Sequence, residues 1–377
     1  MRLAVDATPL LGRPSGIGRY TRSLLEALAL LPGAPEPVLT LFSLRAQVPD
    51  PPDRTSPAPR RLPARLLHPA WSRTPWPPVE WLTGPVDVFH ATNFVLPPTR
   101  RAAGVVTVHD LSFVHHATTV DSAVTAYRRL VPRSLERADA VVTVTHAMKA
   151  EICAEYGVAP DSVTVAHLGV DPGWALASPP PAAGTPGGTR PEGLPERYVL
   201  FTGNLEPRKN LATLVRAHAR ARAQQPDVPP LVLVGPPGWG DVWGDAAPPG
   251  PPDVVQLGYL PEPVLRSVVA GASALVMPSV YEGFGLPVLE AMACRTPVLA
   301  SDVAALAEVA GGHARLVPPM DEDAWAQALV DLPDPSPERL DAAREHALSF
   351  TWEATARTHL EVFRSAAARR GTHRMPG

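Results

Sequence analysis

Residues 198–225 read YVLFTGNLEPRKNLATLVRAHARARAQQ. A short run, apolar on both faces, passes through a glycine-bearing loop into a stretch whose apolar residues recur at helical spacing. A parallel strand is covered on both faces, so it reads as a continuous apolar run and not as an alternation. Strand, loop and helix in that order are the repeating unit of a parallel α/β sheet. The unit recurs on both sides of this stretch. Before it stand candidate strands RLAVDAT (2–8), VLTLFSL (38–44), VDVFHAT (86–92), GVVTVHD (104–110), AVVTVTH (140–146) and SVTVAHL (162–168), with helices expected over 19–31, 121–138 and 147–157. After it stand LVLVG (231–235), VVQLG (254–258), ALVMPS (274–279), TPVLASD (296–302) and ARLVPP (314–319), with helices over 261–272, from Asp321, from Ser336 and over 351–370. Between the two series lies GWALASPPPAAGTPGGTRPEGLPER (173–197), rich in Pro, Gly and Ala and without an apolar period, as a linker would be. Two doubly wound α/β domains follow, with a ligand expected at the carboxyl ends of their strands.

Length and composition agree. A chain of 377 residues with 45% hydrophobic residues suits two ordinary cores. A net charge of −3 argues against bulk affinity for nucleic acid. Lys149 and Lys209 are the sole lysines, the other cations being arginines. Cys153 and Cys294 stand far apart and make no disulfide framework, which fits a reducing compartment. The opening MRLAVDATPLL lacks the features of a signal peptide, and no apolar run reaches the ~18–20 residues of a membrane span. The expectation is a cytoplasmic protein, with a peripheral contact at the inner face of the membrane left open.

Four motifs carry chemistry. In GNLEPRKN (203–210), Gly203 permits a tight turn, and Arg208 and Lys209 stand at the entrance of a helix. Cations there oppose the helix dipole unless an anion lies between them and the helix amides. A solvated basic loop is the alternative. In VYEGFGLPVLEAMACRTPVL (280–299), Glu282 precedes a glycine turn and Glu290 lies within the helix that Pro287 starts. The amides of Gly283 to Leu286 suit a phosphate, and the two acids suit sugar hydroxyls on either side of it. A dipole-favoured acid plus a solvated helical one is the alternative. In VTVHDLSF (106–113), His109 and Asp110 end a strand, where a His can bond a sugar hydroxyl or a leaving oxygen; a capped strand end is the alternative. In GRPSGIGRYTRSLLEAL (12–28), Gly16 and Gly18 resemble a dinucleotide fingerprint, but Thr21 takes the third glycine's place. His115 and His116 lack a supporting acid or cysteine cluster for a metal. DED (321–323) reads as a helix cap, and Trp71, Trp76 and Trp81 lie among prolines in a loop.

Together these motifs resemble the retaining GT-B glycosyltransferases of family four. Glu282 and Glu290 in YEGFGLPVLEAMACRTPVLASD look like that family's E-x7-E signature, and GNLEPRKN looks like its diphosphate loop. HATNFVLPP (90–98), VTVHDLSF and LAEVAGGHARLVPP (306–319) are similar to segments of bacterial mannosyltransferase-like members, so the resemblance covers nearly the whole chain. It implies an α/β GT-B fold: two doubly wound Rossmann-like domains facing a central cleft. The acceptor domain would be 1–172, the linker 173–197, the donor domain 198–350, and 351–377 a helix crossing back to the N-terminal domain.

The resemblance also implies a reaction, the transfer of a hexose from a nucleotide-sugar to an acceptor hydroxyl with retention. Arg208 and Lys209 would neutralise the leaving diphosphate, beside Gly203 and Asn204. Glu290 would bind the ribose and Glu282 the transferred sugar, with Gly283, Phe284, Gly285 and Leu286 offering amides. His109 would touch the donor sugar near its reacting side and complete the catalytic set of His109, Arg208, Lys209 and Glu282. Gly16 and Gly18 match the acceptor-side loop near the phosphates, and Gly258 and Tyr259 the region near the base. GDP-mannose is the favoured donor, with UDP- and dTDP-sugars as alternatives. No metal and no further cofactor are expected, because two cations and a helix N-terminus supply the charge. The acceptor would be a glycan, a lipid-linked glycan or a small molecule, and no nucleic acid partner is expected. A sugar-nucleotide epimerase, a phosphorolytic enzyme and a degenerate binding protein share the fold and stand as alternatives. A nicotinamide dehydrogenase is disfavoured by the broken fingerprint.

Overall fold

A computed structural model of the chain describes residues 1–12, 15–115, 122–182, 190–238, 240–243 and 253–372. The chain forms two compact units. The first holds the described residues up to Gly169 and from Thr351 onward, and the second runs from Val170 to Phe350.

The first unit begins with β1 (Leu3–Asp6), α1 (Gly16–Leu30), β2 (Val38–Thr40), β3 (Ser56–Pro57), α2 (Ala64–Trp71) and α3 (Glu80–Thr83). It continues with β4 (Val88–Ala91), β5 (Ala103–Val108), α4 (Ser112–His115), α5 (Ser122–Arg137), β6 (Ala140–Thr143), α6 (His146–Tyr156) and β7 (Val163–Val165). All seven strands are parallel, in the order β3-β2-β1-β4-β5-β6-β7. The order reverses between β1 and β4, which is where a doubly wound sheet binds its ligand. The run 38–44 pairs only as far as Thr40, and 162–168 only over Val163–Val165. Leu41, Phe42, Ala166 and Leu168 are nevertheless buried, so apolar sequence outlasts the ladder.

The second unit holds β8 (Val199–Thr202), α7 (Leu211–Gln224), β9 (Leu231–Val234), β10 (Val254–Gly258), α8 (Glu262–Ala270) and β11 (Ala274–Met277). There follow α9 (Leu286–Ala293), β12 (Val298–Ser301), α10 (Ala304–Ala310), β13 (Arg315–Val317), α11 (Glu322–Val330) and α12 (Pro337–Ser349). Its six strands are also parallel, in the order β10-β9-β8-β11-β12-β13, and reverse between β8 and β11. Part of the stretch expected as linker is packed. Trp174, in a 3-10 turn over Pro172–Leu176, is buried, with the Arg266 guanidinium over its ring and the Cys294 thiol donating to its carbonyl at 3.2 Å.

The last helix, α13 (Trp352–Thr372), belongs to the first unit and packs on α1 and β5. A buried chain of hydrogen bonds ties it there. His359 Nδ1 meets the Thr355 carbonyl at 2.8 Å; a carbonyl only accepts, so Nδ1 carries the proton. Nε2 then accepts from the Tyr20 hydroxyl at 2.8 Å, whose oxygen accepts from Thr107 Oγ1 at 3.0 Å. Thr107 in turn accepts from His90 Nε2 at 2.8 Å. Both imidazoles are neutral in this arrangement. Burial lowers both, with nearby imidazoles adding to the effect, and brings His359 to about 4.

Candidate functional site

The loops that follow β8 and β11 meet at the second unit's point of reversal. After β8, Gly203 takes φ +145°, open to glycine and strained for other residues. A 3-10 turn over Pro207–Lys209 follows, and Asn210 adopts the left-handed conformation at φ 57° before α7 begins. After β11, the chain passes Ser279 and Glu282 to reach Gly285 at φ 100°, the N-cap of α9. A Cβ on Gly285 would come within 2.4 Å of Leu306 Cδ2. Backbone and side chain stitch the loops together. Val280 N–H donates to the Arg208 carbonyl at 2.9 Å, and the Asn210 amide donates to the carbonyls of Pro278 and Pro319 at 3.1 and 2.7 Å.

Glu282 is the hub of this arrangement. Its Oε1 accepts from Lys209 Nζ at 2.5 Å and Ser279 Oγ at 2.7 Å, and its Oε2 accepts from Arg208 Nη1 at 2.8 Å. Arg208 also donates to the Tyr281 carbonyl at 3.2 Å and pairs with Glu206 at 2.7 Å. Burial pushes the Glu282 carboxyl up, but Lys209, Arg208 and the Ser279 hydroxyl outweigh it and bring it down to about 2. Burial and the neighbouring Arg208 lower the Lys209 ammonium by more than Glu282 and Glu206 raise it. Two acids and two bases thus form an alternating quartet. The sequence offered little structural reason for cations at this helix entrance; Glu206 and Glu282 supply one.

Glu290 lies on α9 and is buried, eight residues beyond Glu282. Its charge adds to burial in raising the Cys294 thiol to about 12, which makes that cysteine inert packing. Phe284 is buried, Asn204 and Tyr259 are exposed, and Gly258 adopts φ +66° at the end of β10. The predicted residues from Gly203 to Glu290 therefore share one unit, and Arg208 and Lys209 of one loop contact Glu282 of the other. Glu206, Ser279 and Asn210 were not picked out from the sequence: Glu206 and Ser279 matter through Arg208 and Glu282, which themselves pair across the two loops, and Asn210 through carbonyls 68 and 109 residues away.

Gly16, Gly18 and His109 belong to the first unit. Gly18 N–H donates to the Ser15 hydroxyl at 3.0 Å, and a Cβ on Gly18 would meet the Pro9 carbonyl oxygen at 2.7 Å. That glycine has a steric reason of its own, whereas Gly16 is open. His109 is buried against the edge of Tyr20, with Nε2 donating to the Thr92 carbonyl at 2.8 Å. Burial lowers its imidazole by more than that bond and Asp110 raise it, so the ring is neutral with Nδ1 as the acceptor. His115 pairs with Glu151, and His116 lies outside the described residues. Asp321 caps α11 through the Ala324 amide. Trp71 is buried, whereas Trp76 and Trp81 are exposed and lie ring to ring.

Residues 14–174 match the family described as Glycosyltransferase Family 4, and residues 196–334 the one described as Glycosyl transferases group 1. The O-antigen chain mannosyltransferase B of Escherichia coli is 31% identical over 381 residues, which span 94% of this chain and 97% of that protein. This chain belongs to the group 1, family 4 glycosyltransferases. A second relative of the glycosyltransferase is the D-inositol 3-phosphate glycosyltransferase of Kribbella flavida, 32% identical over 304 residues, 76% of this chain and 70% of that protein. Among solved structures, the sucrose-phosphate synthase of Thermosynechococcus elongatus superposes with a TM-score of 0.70 over 98% of this chain and 99% of that one. At 22% identity, that likeness concerns the fold. The glycosyltransferase has the expected α/β, GT-B class of two Rossmann-like domains, and its reaction moves a sugar from a nucleotide-sugar. None of its described helices is long and apolar enough to cross a membrane.

Proposed function

We propose that the glycosyltransferase works with retention and without a metal, moving a hexose to an acceptor hydroxyl in glycan, polysaccharide or natural-product biosynthesis. The favoured donor is GDP-mannose, a reading supported by the VHDLSF stretch and by the mannosyltransferase relative. One observation carries the proposal: Arg208, Lys209 and Glu282 converge where the second sheet reverses. As the bond from the anomeric carbon to the nucleoside diphosphate breaks, positive charge grows on the sugar and negative charge on the departing phosphate. Arg208 and Lys209 meet the phosphate, with amides at the start of α9, and such preorganised donors are the largest source of stabilisation in reactions of this type. The acceptor oxygen forms its bond on the same face and gives its proton to the departing phosphate oxygen. When the diphosphate engages the two cations, Glu282 exchanges them for hydroxyls of the sugar. Glu290 takes the ribose diol. A cytoplasmic setting fits the free thiols Cys153 and Cys294.

A thermal-shift panel with GDP, UDP, ADP and dTDP tests the donor, because a ligand at 100 times its Kd stabilises by about 2.7 kcal/mol. GDP is expected to give the largest shift, and GDP-mannose turnover to survive a chelator with the product in the α configuration. A larger shift with another nucleotide removes GDP-mannose, an inverted product removes retention, and loss of turnover in chelator removes the metal-free mechanism.

A further inference from the structure

We propose that Glu206 is a positioning residue for the transfer, holding the Arg208 guanidinium while Glu282 exchanges its partners. The proposal deepens the donor-site reading and rests on it. The two cations are not held alike. Arg208 lies between two acids, with Nη2 at 2.7 Å from Glu206 Oε1 and Nη1 at 2.8 Å from Glu282 Oε2, and Nη1 also donates to the Tyr281 carbonyl at 3.2 Å. Lys209 Nζ meets Glu282 Oε1 at 2.5 Å, and among the described residues Glu282 is its one ion-pair partner. When a diphosphate and the sugar hydroxyls part Glu282 from the cations, Lys209 loses its acid, whereas Arg208 keeps Glu206.

Glu206 is anchored apart from the loop that carries Glu282. It is buried, and its carbonyl accepts from the Lys209 amide at 2.9 Å to open the 3-10 turn that bears both cations. The residue before it is fastened to the loop after β9: Leu205 N–H donates to the Pro236 carbonyl at 3.1 Å, and Gly238 N–H donates to the Leu205 carbonyl at 3.0 Å. Gly238 approaches so closely that a Cβ on it would collide with the Leu205 carbonyl oxygen and lie 3.3 Å from Glu206 Cβ, so a glycine is what allows the contact. Arg208 therefore has one carboxylate on its own anchored loop and one on the loop that receives the sugar. A guanidinium is planar, and a carboxylate on one of its nitrogens fixes the direction of the remaining N–H donors. Glu206 is also an anion beside the place of the diphosphate, where its charge weakens phosphate binding. Its two effects thus differ: its bond to Arg208 favours the transfer step, and its charge loosens the grip on the nucleotide.

Steady-state kinetics with GDP-mannose and calorimetric titration of GDP test this on the full chain. Glu206→Gln keeps the shape and loses the charge. It is expected to lower kcat about tenfold, as loss of one charge-assisted bond would, while GDP binds as tightly as in the wild type or up to about tenfold more tightly. Glu206→Asp restores the charge one methylene short, and is expected to return GDP affinity to the wild-type value and to recover part of kcat. In an Arg208→Ala background, Glu206→Gln is expected to lower kcat no further, because Glu206 acts through that guanidinium. Wild-type kcat in Glu206→Gln overturns the proposal. So does a parallel loss of kcat and GDP affinity with a lowered Tm, the mark of a merely structural residue, and so does the same tenfold loss in both backgrounds. Failure of the donor reading shows itself separately, as wild-type GDP affinity in the Arg208→Ala, Lys209→Ala double variant, and would overturn this proposal with it.

Discussion

Glu282 receives three side-chain donors on two oxygens, and that settles what each neighbour is worth. The quartet of Glu206, Arg208, Glu282 and Lys209 has no net charge, so neither of its cations is buried without a counter-charge. In the proposed reaction a nucleoside diphosphate would replace one anion with a stronger one at the same two cations. Replacing Arg208 and Lys209 together by Ala is expected to lower kcat/KM for transfer by about 10³-fold or more, in line with the loss of preorganised oxyanion donors. Steady-state kinetics with a calorimetric titration of GDP checks this, and wild-type turnover in the double variant would refute the diphosphate site. Arg208, Lys209 and Glu282 were legible in the sequence because each stands in a short stretch of loop with recognisable chemistry. Glu206, Ser279 and the neutral, carbonyl-bonded state of His109 were not: a neighbouring acid or hydroxyl in a loop gives no sign of which way it turns, and the Thr92 carbonyl that His109 meets leaves no local pattern.

At the scale of elements, the strands other than β3 could be read because their runs are apolar, whereas β3 is two exposed residues and offered no such run. Their ends could not, because the apolar run continues into buried loop at Leu41, Phe42 and Ala166. Trp174 shows the same limit from the other side: one buried aromatic in a Pro-rich stretch gives no periodicity to detect. The loop after β8 depends on a residue that carries no charge. Asn210 holds the left-handed turn into α7 and spans to the carbonyls of Pro278 and Pro319, fixing the cation-bearing turn against the Glu282 loop. Asn210→Ala leaves two carbonyls without that donor and replaces a residue that tolerates the left-handed conformation by one that tolerates it less, so it is expected to cost about 1–3 kcal/mol. Asn210→Gly accepts the backbone and loses only the hydrogen bonds. Urea denaturation should therefore rank wild type above Gly and Gly above Ala; an Ala variant as stable as the wild type would show that the clasp is not needed.

At the scale of the whole molecule, the two units differ in how acid reaches them. In the first unit, His359 has a folded pKa of about 4 against an ordinary 6.5, so its stabilising neutral form is lost as pH falls from 6.5 through 4. That amounts to about 2 kcal/mol by pH 5. His90, His109 and His68 are lowered too and act in the same direction. Asp6 opposes them: its carboxyl is raised to about 6, so the folded state gains about 1 kcal/mol by pH 5 as it takes up a proton. The balance remains a loss, and it falls on the hydrogen-bond chain that anchors α13, since a proton on His359 Nε2 removes the acceptor for Tyr20. In the second unit His218 is lowered by burial, but the main charged group, Glu282, has its carboxyl brought down from 4.5 to about 2. Its contribution is complete above pH 4.5 and fades only below. Hydrogen exchange read by mass spectrometry at pH 7, 5.5 and 4.5 should therefore show peptides of α1, β5 and α13 losing protection before those of β8, β11 and α9. His359→Gln, which offers an oxygen acceptor that does not titrate, should delay that loss. Simultaneous loss in both units, or an unchanged profile in the variant, would show that the imidazole chain does not set the acid limit of the first unit.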